Sequence, residues 1–402
     1  MPQVRLIDDA PTLLAAAQTF RQAMFGLPGG VTPQEQWVER YLEPQRVWGA
    51  WLEGELVGTT NSFSGELTLP GGQRVSHSAV THVGVLPHFT RRGVMRALLS
   101  AQLHEFHQRG VAVATLRASQ GTLYRRLGYG IASWLSSYQL DKRELLQLPA
   151  VPGQIQLRPA ADAWAQQIAV VQRFPSWRAG TLSRWPQWWA MQQHRLTHSN
   201  LNHYVAFDVQ HGEAQAFVRY HAQPDDNWLY SRDRTLVVDD LHAPDGDSYR
   251  RLIAFLLQLD ITRHLHFPSR PVDDPLPLLV DNPRAVTVSA QRDESWLRIV
   301  DVQAVLQART FATDDAVILD IRDPLLPHNQ GRWRIAAQGI TRSEAQPDAT
   351  LSVDALASLI LGGSRVWQLI YSQNIHIHRP HVAEHLERLF AVAEQPWSGL
   401  FF

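Results

Sequence analysis

Residues 83–103, VGVLPHFTRRGVMRALLSAQL, contain the clearest signal of the fold. A strand-like VGV ends at Val85, and from Arg92 to His107 the apolar residues return at the spacing of an α-helix. These apolar residues are Met95, Leu98, Leu99, Leu103 and Phe106. Gly110 is typical of a helix end, and VAVATL, residues 111–116, is typical of a buried strand. The segment therefore predicts a βαβ unit whose two strands are parallel.

The start of the predicted helix has the features of a phosphate-binding site. A helix N-terminus presents free N–H groups and a partial positive charge, which suit a pyrophosphate. Gly93 has no Cβ to block a close approach to its backbone. Arg91, Arg92 and Arg96 add positive charge and hydrogen-bond donors. The alternative is an ordinary helix start with solvated arginines.

A second motif, ASQGTLYRRLGYG, directly follows the second strand of the unit. This order resembles the GCN5-related N-acetyltransferase (GNAT) superfamily. In that superfamily the two parallel strands splay apart, the arm of coenzyme A (CoA) lies in the split, and an aromatic hydroxyl follows on the next helix. Tyr124 occupies the corresponding position. The alternative is that Tyr124 is only a packing residue.

The flanking regions extend the mixed pattern. A strand-like QVRLI, a helical stretch and a β-meander precede residue 83, and a second region from about Leu140 to Arg292 again mixes strands and helices. A third region, from about Ser295 to Phe402, contains the strand-like AVILDIRD and the helix-like VDALASLILGG. The fold class is therefore α/β, of mixed α+β type. We expect five tryptophans of the second region to be packing residues rather than a binding site. They are Trp164, Trp177, Trp185, Trp188 and Trp189.

Composition excludes several classes of protein. The 402 residues include 37 Lys and Arg against 38 Asp and Glu, a balance that argues against a basic nucleic-acid-binding face. The absence of cysteine excludes disulfides, thiolate metal sites and a cysteine nucleophile. We see no apolar run of about 20 residues, as a membrane span requires, and no pattern of a signal peptide. A cytoplasmic location is the expectation.

Histidine is abundant, at 18 residues, but its spacing does not indicate a metal site. His376 and His378 alternate in a possible strand with His381 nearby, and His264 and His266 alternate in the same way. Neither set is accompanied by an HExxH motif or a set of carboxylates. We therefore expect surface histidines and no metal.

Four separated motifs resemble the enhanced intracellular survival (Eis) family of acetyltransferases. They are VGVLPHFTRRGVMRALL, ASQGTLYRRLGYG, DPLPLLVDNPRA and SWLRIVDVQAVLQAR, in this order. The resemblance covers essentially the whole chain and implies tandem GNAT-like domains followed by a sterol-carrier-protein-like (SCP2-like) domain. It implies an acetyl-CoA-binding GNAT domain at residues 1–135, a second GNAT-like domain without cofactor at 136–292, and the SCP2-like domain at 293–402.

The same resemblance implies roles for individual residues. Tyr124 matches the general acid, the terminal carboxylate of Phe402 matches the general base, and Trp37 matches an aromatic residue of the acceptor pocket. The positions that match cofactor contacts are Val83, Gly84, Val85, Arg91, Arg92, Gly93, Val94, Met95, Arg96, Ser119 and Gln120. The residues alone also allow a simpler interpretation, in which Phe401 and Phe402 only anchor the tail by apolar burial.

The resemblance implies transfer of acetyl from acetyl-CoA to a primary amine, directly and within a ternary complex. The acceptor would be an aminoglycoside-like polyamine or a lysine side chain. An acidic penultimate residue would favour polycationic acceptors, and that position is Phe401. A homohexamer with no nucleic-acid or membrane partner is also implied. The alternative function is a non-catalytic regulatory protein that binds acyl-CoA or an apolar ligand, which predicts CoA binding without turnover.

Overall fold

The computed structural model describes residues 2–26, 38, 40–43, 45–147, 153–313, 315–336 and 339–402. The chain divides into two compact units. The first unit comprises Met1–Trp134, Arg178–Ala190 and Asp293–Phe402, and the second comprises Leu135–Trp177 and Met191–Arg292. Within the described ranges, none of the helices has the length and apolar character that crossing a membrane requires.

The first unit begins with a sheet built around the predicted βαβ segment. Its strands are β1 (Gln3–Ile7), β2 (Val47–Leu52), β3 (Glu55–Thr68), β4 (Arg74–Val85), β5 (Val113–Leu116) and β6 (Gly130–Ile131). Its helices are α1 (Ala10–Ala23), α2 (Val94–Gln108) and α3 (Gly121–Arg125). Strands β4 and β5 are parallel and α2 connects them, which confirms the predicted unit.

Helix α2 packs through the apolar face that its periodicity predicts. Of the predicted apolar residues, Leu98, Leu99, Leu103 and Phe106 are buried and Met95 is partly buried. Val94, which was not among them, is also buried. A Cβ on Gly58 of β3 would lie 2.9 Å from Val94 Cγ1, closer than carbon atoms pack. The glycine therefore lets the first turn of α2 rest directly on the sheet. This contact helps to set where the helix begins.

The second unit contains a separate seven-stranded sheet with its own core. Its strands are β7 (Trp134–Asp141), β8 (Gln154–Pro159), β9 (His203–Gln210), β10 (Glu213–Ala222), β11 (Thr235–His242), β12 (His264–Pro271) and β13 (Val286–Asp293), in the order β13-β7-β12-β11-β10-β9-β8. The helices between these strands are α4 (Trp164–Arg173), α5 (Pro186–Thr197), α6 (Gly246–Leu257) and α7 (Leu276–Leu279). Of α5, only the part from Met191 onwards belongs to the second unit. Strands β11 and β12 are parallel and joined by α6, so this unit repeats the βαβ arrangement.

After β13 the chain contributes a further strand to the first sheet. Strand β14 (Trp296–Ile299) lies between β5 and β6, which gives the order β1-β2-β3-β4-β5-β14-β6. It is antiparallel to both neighbours. Residues 293–402 are therefore joined to the first sheet by backbone pairing within the first unit.

A five-stranded sheet completes the first unit. Its strands are β15 (Val317–Arg322), β16 (Gly331–Ala336), β17 (Gly339–Arg342), β18 (Ala349–Ser352) and β19 (Ile375–Ile377), in the order β17-β16-β15-β18-β19. Its helices are α8 (Val302–Ala308), α9 (Val353–Ile360), α10 (Val366–Tyr371) and α11 (Val382–Leu389). Short 3-10 turns elsewhere in the chain cover Pro87–Phe89, Lys142–Glu144, Ala160–Asp162, Pro283–Ala285 and Pro327–Asn329.

The five tryptophans differ in burial. Trp185, Trp188 and Trp189 are buried, as expected of packing residues. Trp164 is partly buried, and Trp177 is 66% exposed. The expectation that all five are packing residues was therefore wrong for Trp177. An apolar ring is buried only where a neighbouring element covers it.

Candidate active site

The predicted phosphate loop has an open backbone at the start of α2. Gly93 precedes the helix in a left-handed conformation, with φ +77°. No described atom lies within 4 Å of the position that a Cβ on Gly93 would take. Arg91, two residues earlier, also has a positive φ of 62°. This open, left-handed turn and the free N–H groups of the first helical turn fit a bound pyrophosphate.

Side chains around this turn divide into two groups. Arg91, Arg92 and Arg96 are exposed, and the Arg92 guanidinium lies 5.0 Å from the centroid of the Phe89 ring. Val94 is buried and Met95 is partly buried against the core. Of the residues matched to the pyrophosphate loop, the arginines and the backbone N–H groups are therefore the ones available to an anion.

Strand β4 separates from β5 at the positions matched to the pantetheine arm of CoA. Within the described residues, the pairing of β4 with β5 ends at Ala79 and Thr115, whereas β4 continues to Val85. A register shift relative to β3 follows, at His82 and Val83, and His82 has φ +51°. This β-bulge bends the strand and alters the direction of its backbone groups. Val83, Gly84 and Val85 thus lie on the splayed part of β4.

Tyr124 lies on α3, at the carboxyl end of β5, with only 5% of its surface exposed. Burial raises the pKa of its hydroxyl above the ordinary value near 10, while a hydrogen bond with the Ser119 side chain opposes this effect. Tyr124 therefore keeps its proton at neutral pH. Its ring meets the Tyr129 ring edge-on, with centroids 6.1 Å apart. Ser119 and Gln120 are exposed in the turn before α3.

The segment of residues 398–402 is tied to the same end of β5 by a buried carboxylate. Glu294 accepts hydrogen bonds from the Ser398 backbone N–H at 3.0 Å, the Ser398 hydroxyl at 2.7 Å and the Ser133 hydroxyl at 2.7 Å. Arg117, the first residue after β5, donates from Nη2 to Glu294 at 3.1 Å and to the Leu400 carbonyl oxygen at 2.6 Å. The buried charges are thus paired and hydrogen-bonded, as such groups require.

Aromatic residues hold the last two residues of this segment. The Trp188 indole N–H donates to the Phe401 carbonyl oxygen at 2.8 Å. The Phe402 ring meets the Trp185 ring edge-on at 5.5 Å, and Trp185 stacks on Phe63 of β3 at 5.4 Å. The Phe401 side chain is 62% exposed. The backbone of this segment is therefore fixed more firmly than the Phe401 side chain.

Comparisons with known proteins agree with this architecture. Residues 11–132 and 180–299 each match a GNAT acetyltransferase domain family, and residues 302–399 match a sterol carrier protein domain. An N-acetyltransferase of Streptomyces avermitilis is 31% identical over 94% of this chain and 94% of its own length. The crystal structure of Eis1 from Mycobacterium abscessus is 38% identical, covers 100% of both chains and has a TM-score of 0.93. The chain belongs to the Eis family.

A further relative, the N-acetyltransferase Eis of Mycobacterium tuberculosis, is 28% identical over 85% of each chain. The chain is thus an N-acetyltransferase with two GNAT domains followed by a sterol carrier protein domain, as the Eis resemblance implied. GNAT enzymes take their acetyl group from acetyl-CoA. The open turn at Gly93 and the split between β4 and β5 fit that ligand.

The contacts that hold residues 398–402 were not predicted from the sequence. Arg117, Glu294 and Ser398 have no recognisable motif, and Glu294 is 104 positions before Ser398. The simpler interpretation of the tail, apolar burial of both terminal phenylalanines, is wrong for Phe401, because polar contacts to its backbone replace burial of its ring. Trp37, matched to the acceptor pocket, lies outside the described residues.

Proposed function

We propose that the chain transfers the acetyl group of acetyl-CoA directly to a primary amine within a ternary complex. Tyr124 serves as the general acid and the carboxylate of Phe402 as the general base. Acetyl-CoA supplies the acetyl group as a reactive thioester. The observation that most supports the proposal is the fixing of residues 398–402 beside Arg117, at the carboxyl end of β5, because β5 leads directly to the helix that carries Tyr124.

The proposed binding roles are those that the family resemblance implies, and the geometry of the first sheet supports them. The N–H groups at the start of α2, together with Arg91, Arg92 and Arg96, bind the pyrophosphate. The backbone of the splayed strand at Val83–Val85 pairs with the pantetheine arm, and Ser119 and Gln120 supply a further contact. Holding the thioester and the amine together supplies several kcal/mol of the rate acceleration.

Two groups handle protons in this proposal. The Tyr124 hydroxyl, kept protonated by burial, donates its proton to the sulfur of the departing thiolate, and the second proton that the amine nitrogen loses as the amide forms restores the hydroxyl. The carboxylate of Phe402 attracts the ammonium form of the acceptor and takes up its proton, directly or through a water. An α-carboxylate has an ordinary pKa of about 3.5, so positioning near the cation matters more than basicity. Trp185 contacts the Phe402 ring and Trp188 donates to the Phe401 carbonyl oxygen, and these contacts hold the residue that carries the carboxylate.

The acceptor in this proposal is an aminoglycoside-like polyamine or a lysine side chain. Trp37 contributes an aromatic wall of the acceptor pocket. The exposed Phe401 offers an apolar surface where an acidic residue would attract a second cationic centre. We accordingly expect acceptors with one or two amines to compete well with polycations.

We also propose that the chain is cytoplasmic and assembles as a homohexamer. The proposed domain boundaries are at residues 135 and 292. Size-exclusion chromatography with light scattering would test the assembly, and the mass of six chains is the expected result. A monomer at working concentration would contradict it. Family membership favours an enzyme over a non-catalytic binding protein, and turnover is the property that separates the two.

Initial-rate kinetics tests the proposed reaction. CoA release is followed while acetyl-CoA and the amine are varied together, with a triamine, an aminoglycoside and a lysine peptide as acceptors. Direct transfer predicts intersecting double-reciprocal lines and no CoA release with the fully N-acetylated form of each acceptor. Parallel lines would contradict the ternary complex, and CoA release that is independent of the free amine would contradict acetyl transfer to these acceptors.

A further inference from the structure

Three neighbouring strands of the second unit bring two histidines and an aspartate together. His203 on β9 and His221 on β10 are paired across the antiparallel ladder. Asp239 lies on β11, where the register against β10 shifts between Arg219 and Tyr220 and leaves Asp239 as the extra residue of a bulge. The three side chains come from separate strands, so their meeting depends on the register of the sheet.

The ligand atoms of this cluster are close together. Nδ1 of His203 lies 2.7 Å from Oδ2 of Asp239, and Nδ1 of His221 lies 2.9 Å from Oδ1. The two imidazole rings are 4.7 Å apart between centroids. One donor atom from each residue lies within 4.8 Å of the other two. Ligands about 2.1 Å from a shared ion are about 3.4 Å apart in a tetrahedral site, so small side-chain rotations suffice.

Burial and charge at the cluster suit a cation. The side chains of His203, His221 and Asp239 are 9%, 14% and 19% exposed, so each is shielded yet reachable from solvent. Both oxygens of the Asp239 carboxylate face the cluster, one towards each histidine. Ser199 Oγ lies 3.4 Å from Nε2 of His203, on the far side of the ring.

We propose that His203, His221 and Asp239 form a binding site for a divalent transition-metal ion of the zinc class. Two imidazole nitrogens and one carboxylate oxygen are a common zinc ligand set, with the fourth position taken by water. The metal replaces the two hydrogen bonds to Asp239, and it links β9, β10 and β11. The site does not rest on the proposed transfer reaction, because all three residues belong to the second unit.

Calorimetric titration with Zn²⁺ tests the site on the full, untagged chain after removal of metals. The variants are Asp239→Asn and His221→Gln, and the control is His376→Gln, which alters a histidine pair whose rings are 4.8 Å apart in the five-stranded sheet. In the wild type and the control we expect one Zn²⁺ site per chain with micromolar or tighter affinity. In the two variants we expect the affinity for Zn²⁺ to be at least 100-fold weaker. Equal affinity in the wild type and Asp239→Asn would overturn the proposal.

Absorption of Co²⁺ gives a second test that needs no variant. A four-coordinate site with nitrogen and oxygen ligands produces intense visible bands, whereas six-coordinate cobalt on the surface absorbs weakly. We expect intense bands that saturate at one equivalent and disappear when Zn²⁺ is added. Weak absorption that rises without saturation would overturn the proposal even if both variants failed to fold.

Discussion

The Nη2 atom of Arg117 donates a 2.6 Å hydrogen bond to the carbonyl oxygen of Leu400. Arg117 directly follows β5, and Leu400 lies two residues before Phe402. The same Nη2 atom contacts Glu294 at 3.1 Å and the Ser398 hydroxyl at 2.9 Å. One guanidinium therefore links the end of a core strand, a buried carboxylate and the segment that carries the proposed base.

Substitution of Glu294 by Gln should lower turnover with little effect on acetyl-CoA binding. The change removes the charge that pairs with Arg117 and weakens the contacts to Ser398, so residues 398–402 lose their fixed position. We expect kcat to fall by about 10- to 100-fold while the acetyl-CoA Kd, measured by calorimetry, changes by less than threefold. Glu213→Gln, which breaks the exposed pair with Arg173, is the control. A folded Glu294→Gln protein with wild-type kcat would exclude Glu294 as a positioning residue.

Tyr124→Phe should reduce turnover by about 100-fold or more, because it removes the proton donor and keeps the ring. Tyr129→Phe is the matched control, since its ring lies 6.1 Å away in the same buried cluster. We expect the control to keep near-wild-type kcat and both variants to bind acetyl-CoA normally. Equal turnover in Tyr124→Phe and Tyr129→Phe would remove Tyr124 from the chemistry.

Gly93→Ala should weaken acetyl-CoA binding beyond its effect on stability. Gly110, at the other end of α2, offers a matched control, because it has φ +70° and an equally open Cβ position. Either substitution places an alanine in a left-handed backbone conformation, which lowers stability by about 1 kcal/mol. Only Gly93→Ala places a methyl group where the pyrophosphate is proposed to lie, so we expect its KM for acetyl-CoA to rise about tenfold or more. A matching rise in Gly110→Ala would show that backbone strain alone is responsible.

His77 should make the protein sensitive to mild acid. It is fully buried on β4, with Nε2 2.7 Å from Thr115 Oγ1, and burial lowers its pKa from 6.5 to about 3. A depressed histidine pKa contributes stability above pH 6.5 that is lost as pH falls towards 3. When the pH is lowered from 7.5 to 5.5, the His77 contribution should therefore reduce the free energy of unfolding by about 1.4 kcal/mol.

Urea unfolding at the two pH values measures this loss, and His77→Gln supplies the comparison. The variant keeps a polar side chain but has no group that titrates in this range. The wild type should lose about 1.4 kcal/mol more than the variant. Equal losses in the two proteins would mean that folding does not lower the pKa of His77.

Local sequence patterns were sufficient to predict the elements that carry the proposed acetyl-CoA-binding residues. The 3.6-residue spacing over Arg92–His107 predicted α2, which spans Val94–Gln108, because a helix that packs on a sheet must present one apolar face. Gly93 was identified because it has no Cβ to block a close approach to its backbone, whereas its left-handed conformation was not predicted. The motif around Tyr124 was recognised by its position after a short apolar strand.

Contacts between distant segments had no local signal. Strand β14 enters the first sheet beside β5, which is about 180 residues earlier in the chain. The Glu294–Ser398 contact and the His203–His221–Asp239 cluster likewise depend on strand order and register, and a bulge sets the position of Asp239. His376 and His378 were instead considered as a metal site, because alternation within one strand is visible in a sequence. Proximity across three strands, as in the cluster, is not visible in this way.

A catalytic role for the Phe402 carboxylate is tested by comparing turnover of the 402-residue chain with that of a chain extended by two residues after Phe402. The extension converts the Phe402 carboxylate into a neutral amide and leaves Tyr124, the α2 start and the Arg117–Glu294 contact in place. A chain extended by two residues before Met1 is the control, and acetyl-CoA binding is confirmed for all three. We predict that turnover falls at least 100-fold in the C-terminally extended chain alone; equal turnover in all three chains would contradict a catalytic role for the Phe402 carboxylate.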